Sequence, residues 1–116
     1  MKEAKEINLK TIYKAIDDKF GIDTVILDIS KITTMCLADY FVITSAGSLN
    51  QMQAIADNIQ DELFKEGVRT LHLEGYGSSW ILMDFGNAII HIFNKEDREF
   101  YDLERLWADG VRVSVE

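Results

Sequence analysis

Residues 75–107, GYGSSWILMDFGNAIIHIFNKEDREFYDLERLW, decide the fold. They spell strand, tight turn, strand, helix. In 80–85 the side chains alternate, so Trp80, Leu82 and Asp84 face one way and Ile81, Met83 and Phe85 the other. Gly86-Asn87 then joins this strand to a second at 88–93, a hairpin signal weaker than Asn-Gly. Asn94 is placed to cap a helix, and Glu96 and Asp97 complement its positive start. Phe100, Leu103 and Trp107 lie along one side of that helix.

Upstream, Leu9, Ile12, Tyr13, Ile16 and Phe20 keep the spacing of one apolar helical face, which predicts a helix over 6–20 with Gly21 as its terminator. DTVILDI at 23–29 is a run suited to a strand buried on both faces. SKITTMCLA reads as a connection. Residues 40–44 are aromatic and β-branched, which predicts a strand. Ser48 and Gln51 match the S-x-x-Q capping box of a helix whose inner stripe is Met52, Ile55, Ala56, Ile59 and Leu63, closed by Gly67. VRTLHLE at 68–74 follows as a strand. Strand, helix, strand in this order is a βαβ unit, which implies that the two strands are parallel with a right-handed crossover. The terminal VRVSVE is either a short edge strand or a loose tail. The expected architecture is a single α/β (α+β) domain over 1–116, with a mixed sheet of about five strands flanked by helices. Its ordered core spans about 6–108, with an extension at 109–116.

A chain of 116 residues fits one domain. No apolar run approaches the ~20 residues of a membrane span. MKEAKEINLK has no apolar segment behind its lysine and so is no signal peptide, which points to the cytosol. Cys36 is the lone cysteine and builds neither an internal disulfide nor a thiolate zinc site. A net charge of −8 opposes direct binding to phosphate backbones and favours a basic protein partner.

Groups that could do chemistry are few. His72 and His91 each fall inside a strand, with His91 sharing a face with Ile89 and Phe93, and both read as hydrogen-bonded structural histidines. Gly47-Ser48 before a helix resembles the glycine-serine loop of nucleotidyltransferases. Those enzymes hold Mg²⁺ on paired acids of a following strand. Here Asp57 falls on the helix and Asp84 stands alone, so the plainer reading is a capped helix. Asp39, Glu74 and Asp84 each sit at a strand end or within a strand, and sequence alone does not bring them together. No cofactor or metal site is expected. The face of 80–85 that carries Trp80, Leu82 and Asp84, with Tyr76 just before it, has the make-up of a binding hot spot: an aromatic anchor with a polar rim. The competing reading puts Trp80 against a helix inside the fold.

ADYFVI at 38–43, IADNI at 55–59, EGYGSSWILMDFGNAIIHIF at 74–93 and FYDLERLW at 100–107 together resemble the ribosomal silencing factor, or Iojap-like, family. The resemblance covers nearly the whole chain up to 107. It implies a nucleotidyltransferase-like fold without transferase activity. It also implies a factor that binds large-subunit ribosomal protein L14, blocks joining of the two subunits and damps translation when nutrients are scarce, and that is commonly a homodimer when free. By the same resemblance Trp80 is the anchor for the ribosomal protein. Tyr76, Glu74 and Leu82 are added by proximity and strand facing. Asp39 and Asp84 match acids of the family whose roles are open. The YDLERLW helix is expected to pack the fold, with Trp107 in the core or at a dimer contact.

Overall fold

A computed structural model describes residues 7–30, 38–101 and 111–114, with the side chains of 99–101 outside the description. The elements run α1 (Leu9–Asp17), β1 (Ile22–Asp28), β2 (Tyr40–Ala46), α2 (Leu49–Lys65), β3 (His72–Glu74), β4 (Trp80–Asp84), β5 (Ala88–Asn94), α3 (Lys95–Tyr101) and β6 (Val111–Arg112). The six strands form one sheet in the order β3-β4-β5-β2-β1-β6. Among the described residues only β2 and β5 pair in parallel; the other four pairs are antiparallel. The radius of gyration is 13.3 Å, as a compact chain of this length should have.

The strand after α2 runs parallel to β2, as expected, but it is not the neighbour of β2, because β4 and β5 lie between them. β2 is buried along Phe41–Ala46 and needs a partner that tolerates cover on both faces. The apolar β5 meets that need, whereas β3 exposes His72 and Glu74 and takes the sheet edge. Val68–Leu71 also fall outside the strand expected at 68–74. Val68 instead closes α2, its N–H donating to the Leu63 carbonyl while the N–H of Gly67, at φ 85°, donates to Phe64. The end of the chain supplies a sixth strand, and β6 is an edge strand on β1. The connection at 31–37, with Cys36, and most of the YDLERLW segment, with Trp107, lie outside the described residues.

Helices α1 and α2 cover one face of the sheet. Ile12, Ala15 and Ile16 of α1 and the expected α2 stripe of Met52, Ile55, Ala56, Ile59 and Leu63 pack on Ile26, Val42, Ile81, Met83, Ile90 and Ile92. The opposite face has its own cluster of Leu27, Ile29, Phe41, Ile43 and Phe93. Arg98 ties α3 to the sheet, its Nη1 donating to the Ile22 carbonyl and the Ser45 hydroxyl at 3.1 Å each.

The end of α1 departs from expectation in its detail. The Gly21 N–H donates to Ile16 O at 3.0 Å and the Phe20 N–H to Asp17 O at 2.9 Å, the paired bonds of a Schellman cap. The left-handed residue of that cap is Phe20, at φ 64°, rather than Gly21. Gly21 is required for space: a Cβ there would lie 2.2 Å from Ile16 Cγ2 and 2.8 Å from Thr44 Oγ1. The register of β1 on β2 then shifts between Ile22 and Val25, a bulge in which Asp23 takes φ 51°.

Candidate functional site

The β4–β5 hairpin builds the site. Phe85 N–H donates to Ala88 O at 3.0 Å, which leaves Gly86-Asn87 as a two-residue loop. Gly86 has φ 90° and Asn87 is not left-handed, so the turn has the II′ pattern, with glycine first. Asp84 Oδ1 accepts from Gly86 N–H at 2.8 Å and braces the turn. The loop length sets the register: Trp80 pairs with Phe93, Leu82 with His91 and Asp84 with Ile89. On the other side Glu74 pairs with Leu82 and His72 with Asp84.

Directly paired residues share a face. His72, Glu74, Trp80, Leu82, Asp84, Ile89, His91 and Phe93 therefore line the face that α1 and α2 do not cover. Toward β5 and β2 this face is buried, and toward the β3 edge it opens. Glu74 is exposed, and Leu82, Asp84 and Trp80 are half-buried. The strip holds two carboxylates around an indole and an aliphatic side chain. The Glu74 carboxylate also meets the ring Nε2 of His72, on the same strand, in an exposed side-chain hydrogen bond.

Trp80 is anchored in the fold. Its Nε1–H donates to His91 Nδ1 at 3.1 Å, and its ring lies 5.1 Å from that of Phe93. The indole is therefore half-buried with its N–H engaged, packed on the sheet's own aromatics. His91 is 5% exposed, stacked at 9° on Phe93 and edge-on to Phe41 at 5.1 Å. Burial pushes its pKa down to about 4, so the ring is neutral at pH 7. Accepting at Nδ1 puts its proton on Nε2, which has no hydrogen-bond partner among the described residues.

Tyr76 goes elsewhere. Its hydroxyl donates to both carboxylate oxygens of Asp57 on α2, at 3.1 Å, so it clasps the 75–79 loop to the helical layer. Desolvation first, then the bonded Asp57 carboxylate, holds this phenol above its ordinary pKa. The residue remains 48% exposed. The loop itself depends on Gly75, at φ 77°, where a Cβ would sit 2.0 Å from the Trp80 carbonyl oxygen.

The glycine-serine loop is occupied by capping. Ser48 Oγ accepts from the Gln51 N–H at 3.1 Å, and Gln51 Oε1 accepts from the Gly47 N–H at 2.9 Å. The Gln51 amide also donates to the Lys19 and Phe20 carbonyls, latching α2 to the end of α1. Asp57 stands on α2 and Asp84 on the other face of the sheet, so the two do not pair. Among the described residues no three His, Cys, Asp or Glu side chains converge as metal ligands. Asp39 is exposed just before β2, where its N–H reaches the Asn87 carbonyl. The Trp80–His91 bond escaped sequence reasoning, although a two-residue loop carried down the hairpin places the two side chains on neighbouring pairs.

The family profile described as "Ribosomal silencing factor during starvation" matches residues 1–116. A ribosomal silencing factor of Bacillus subtilis is 39% identical over 115 residues, covering 95% of this chain and 96% of that one. A chloroplastic Iojap protein of Arabidopsis thaliana is 30% identical over 76 residues, covering 66% of this chain and 32% of that longer protein. Two crystal structures share the fold. One, from Chromobacterium violaceum, has a TM-score of 0.81 at 32% identity and covers 91% of this chain and 87% of its own. The other, from Bacillus halodurans, has a TM-score of 0.79 at 33% identity and covers 92% and 96%. By sequence along its whole length and by fold, the chain belongs to the ribosomal silencing factor (RsfS, Iojap-like) family.

Proposed function

We propose that this chain binds the large ribosomal subunit through ribosomal protein L14 and represses translation in the cytosol by standing where the small subunit would dock. The observation that carries this reading is the placement of Trp80, Leu82 and Glu74 on one sheet face away from α1 and α2, with Asp84 beside them. Such a strip offers a basic protein an aromatic anchor and carboxylate partners. The net charge of −8 steers encounter with a basic protein and away from rRNA phosphates. A standard interface of ~800 Å² per partner takes roughly a ninth of the 7153 Å² surface, so one side suffices. Extents of 42 × 32 × 27 Å then leave a body large enough to obstruct the joint between subunits.

This mechanism needs occupancy and no reaction. The alternative, a nucleotide- and Mg²⁺-dependent transferase at Gly47-Ser48, is disfavoured because the polar groups of that loop already cap α2. Free in solution, the chain pairs with a second copy, which sedimentation equilibrium tests. The decisive experiment is co-sedimentation with purified large subunits, followed by a light-scattering assay of subunit joining. Trp80→Ala should weaken binding by at least ~2 kcal/mol, about 30-fold. Unchanged binding by that variant would remove Trp80 and its strip from the docking surface, whereas calorimetric binding of ATP·Mg²⁺ at micromolar strength would turn the assignment toward the alternative.

A further inference from the structure

We propose that His91 is the positioning residue of the docking strip, holding the Trp80 indole in one orientation for the partner; this rests on the docking reading above. His91 lies in an apolar row between Ile89 and Phe93, where an aliphatic residue would fit the surroundings better. Its Nε2–H is buried without a partner among the described residues, an arrangement that costs stability. What the imidazole supplies in return is one acceptor, Nδ1, at 3.1 Å from the indole Nε1. The acceptor is itself fixed, because the ring is 5% exposed and packs beside Phe93, at 6.3 Å with the planes 9° apart, and Phe41, at 5.1 Å and 68°. Trp80 is therefore held at two points, by the bond at Nε1 and by its tilted contact with Phe93 at 5.1 Å. A half-buried indole with both constraints loses little further freedom on binding, and preorganisation of that kind appears as affinity.

Two substitutions separate orientation from packing. His91→Leu removes the acceptor and fills the site with apolar volume, so the chain should be at least as stable. Its affinity for large subunits should fall about threefold to tenfold, the scale of one side chain freed to move. His91→Asn keeps an acceptor close to the Nδ1 position but leaves a void. It should be less stable than His91→Leu yet bind more tightly, close to wild type. A residue with a merely structural role would rank the two variants in the same order in both measurements. In a Trp107→Phe background the remaining indole N–H is read by ¹H–¹⁵N NMR. It should be protected from solvent exchange in the wild-type and His91→Asn proteins and exposed in the His91→Leu protein. If Trp80→Ala weakens binding while His91→Leu leaves it unchanged, the positioning role is overturned and the docking reading stands. If Trp80→Ala has no effect, the docking reading falls and this proposal falls with it. A wild-type indole N–H that exchanges freely overturns the positioning role whatever the binding data.

Discussion

Gly21→Ala tests the packing argument most sharply, because at this position backbone and side-chain effects separate. Gly21 is not left-handed, so alanine meets no torsional penalty there. Reducing the freedom of the unfolded chain even favours the substitution by roughly 0.4–1 kcal/mol. Against that, the new methyl would stand 2.2 Å from Ile16 Cγ2 and 2.8 Å from Thr44 Oγ1. Both neighbours are 0% exposed, so neither can swing into solvent. Ile16 must shift by more than an ångström, and overpacking of that kind costs about 1–3 kcal/mol. The net expectation is a loss of about 1–2 kcal/mol, seen as a lower urea midpoint at constant m-value and a Tm lower by about 5 °C per kcal/mol. Ile16→Leu, which lacks the branch at Cβ, should by itself cost under ~1.5 kcal/mol. Combined with Gly21→Ala it should recover about 1 kcal/mol relative to the sum of the two single changes. A stabilised Gly21→Ala protein, or strict additivity in the cycle, would refute the claim that this glycine exists to let Ile16 and Thr44 close over it.

Phe20→Asn should raise stability by about 0.5–1 kcal/mol in urea unfolding, because asparagine tolerates the left-handed position and the ring, 78% exposed, gives up little burial. His91 provides a pH test. Above about pH 6.5 it is neutral in both folded and unfolded chains and adds no pH dependence. Below that the unfolded chain takes the proton first, since the folded pKa is about 4. Its share of stability is therefore lost between about pH 6.5 and 4, with about 2 kcal/mol gone at pH 5 relative to pH 7. Urea unfolding of wild type against His91→Asn at the two pH values should show that difference. Ser48→Ala removes the α2 cap and should cost ~1 kcal/mol of stability while leaving large-subunit affinity unchanged, measured by denaturation and co-sedimentation in parallel.

The elements whose pattern is local were legible in the sequence. The alternation in 80–85 put Trp80 and Leu82 on one face, and the observed register agrees. The α2 stripe and its Ser48 cap also stand as read. The neighbour of β2 was not legible from order along the chain. Sheet adjacency follows which strands tolerate cover on both faces, and that favours the apolar β5 over β3 with its exposed His72 and Glu74. At the end of α1, glycine correctly marked the stop but for another reason, since the left-handed turn fell on Phe20. In the candidate site, strand alternation does not reveal that Tyr76 reaches across to Asp57, because a loop residue follows no period. His91 as the partner of the indole required the register of the hairpin as well as the facing of one strand.

The single parallel seam has a kinetic consequence. In β2–β5 each residue meets one 48 positions further along, as Tyr40 meets Ala88. The β3–β4–β5 meander joins near neighbours and can form early, but it reaches the first half of the sheet only when that long excursion closes. Closure of the seam is thus the expected slow event in folding. Until it happens, the strand that carries Trp80 belongs to a small meander with no central sheet to stand on.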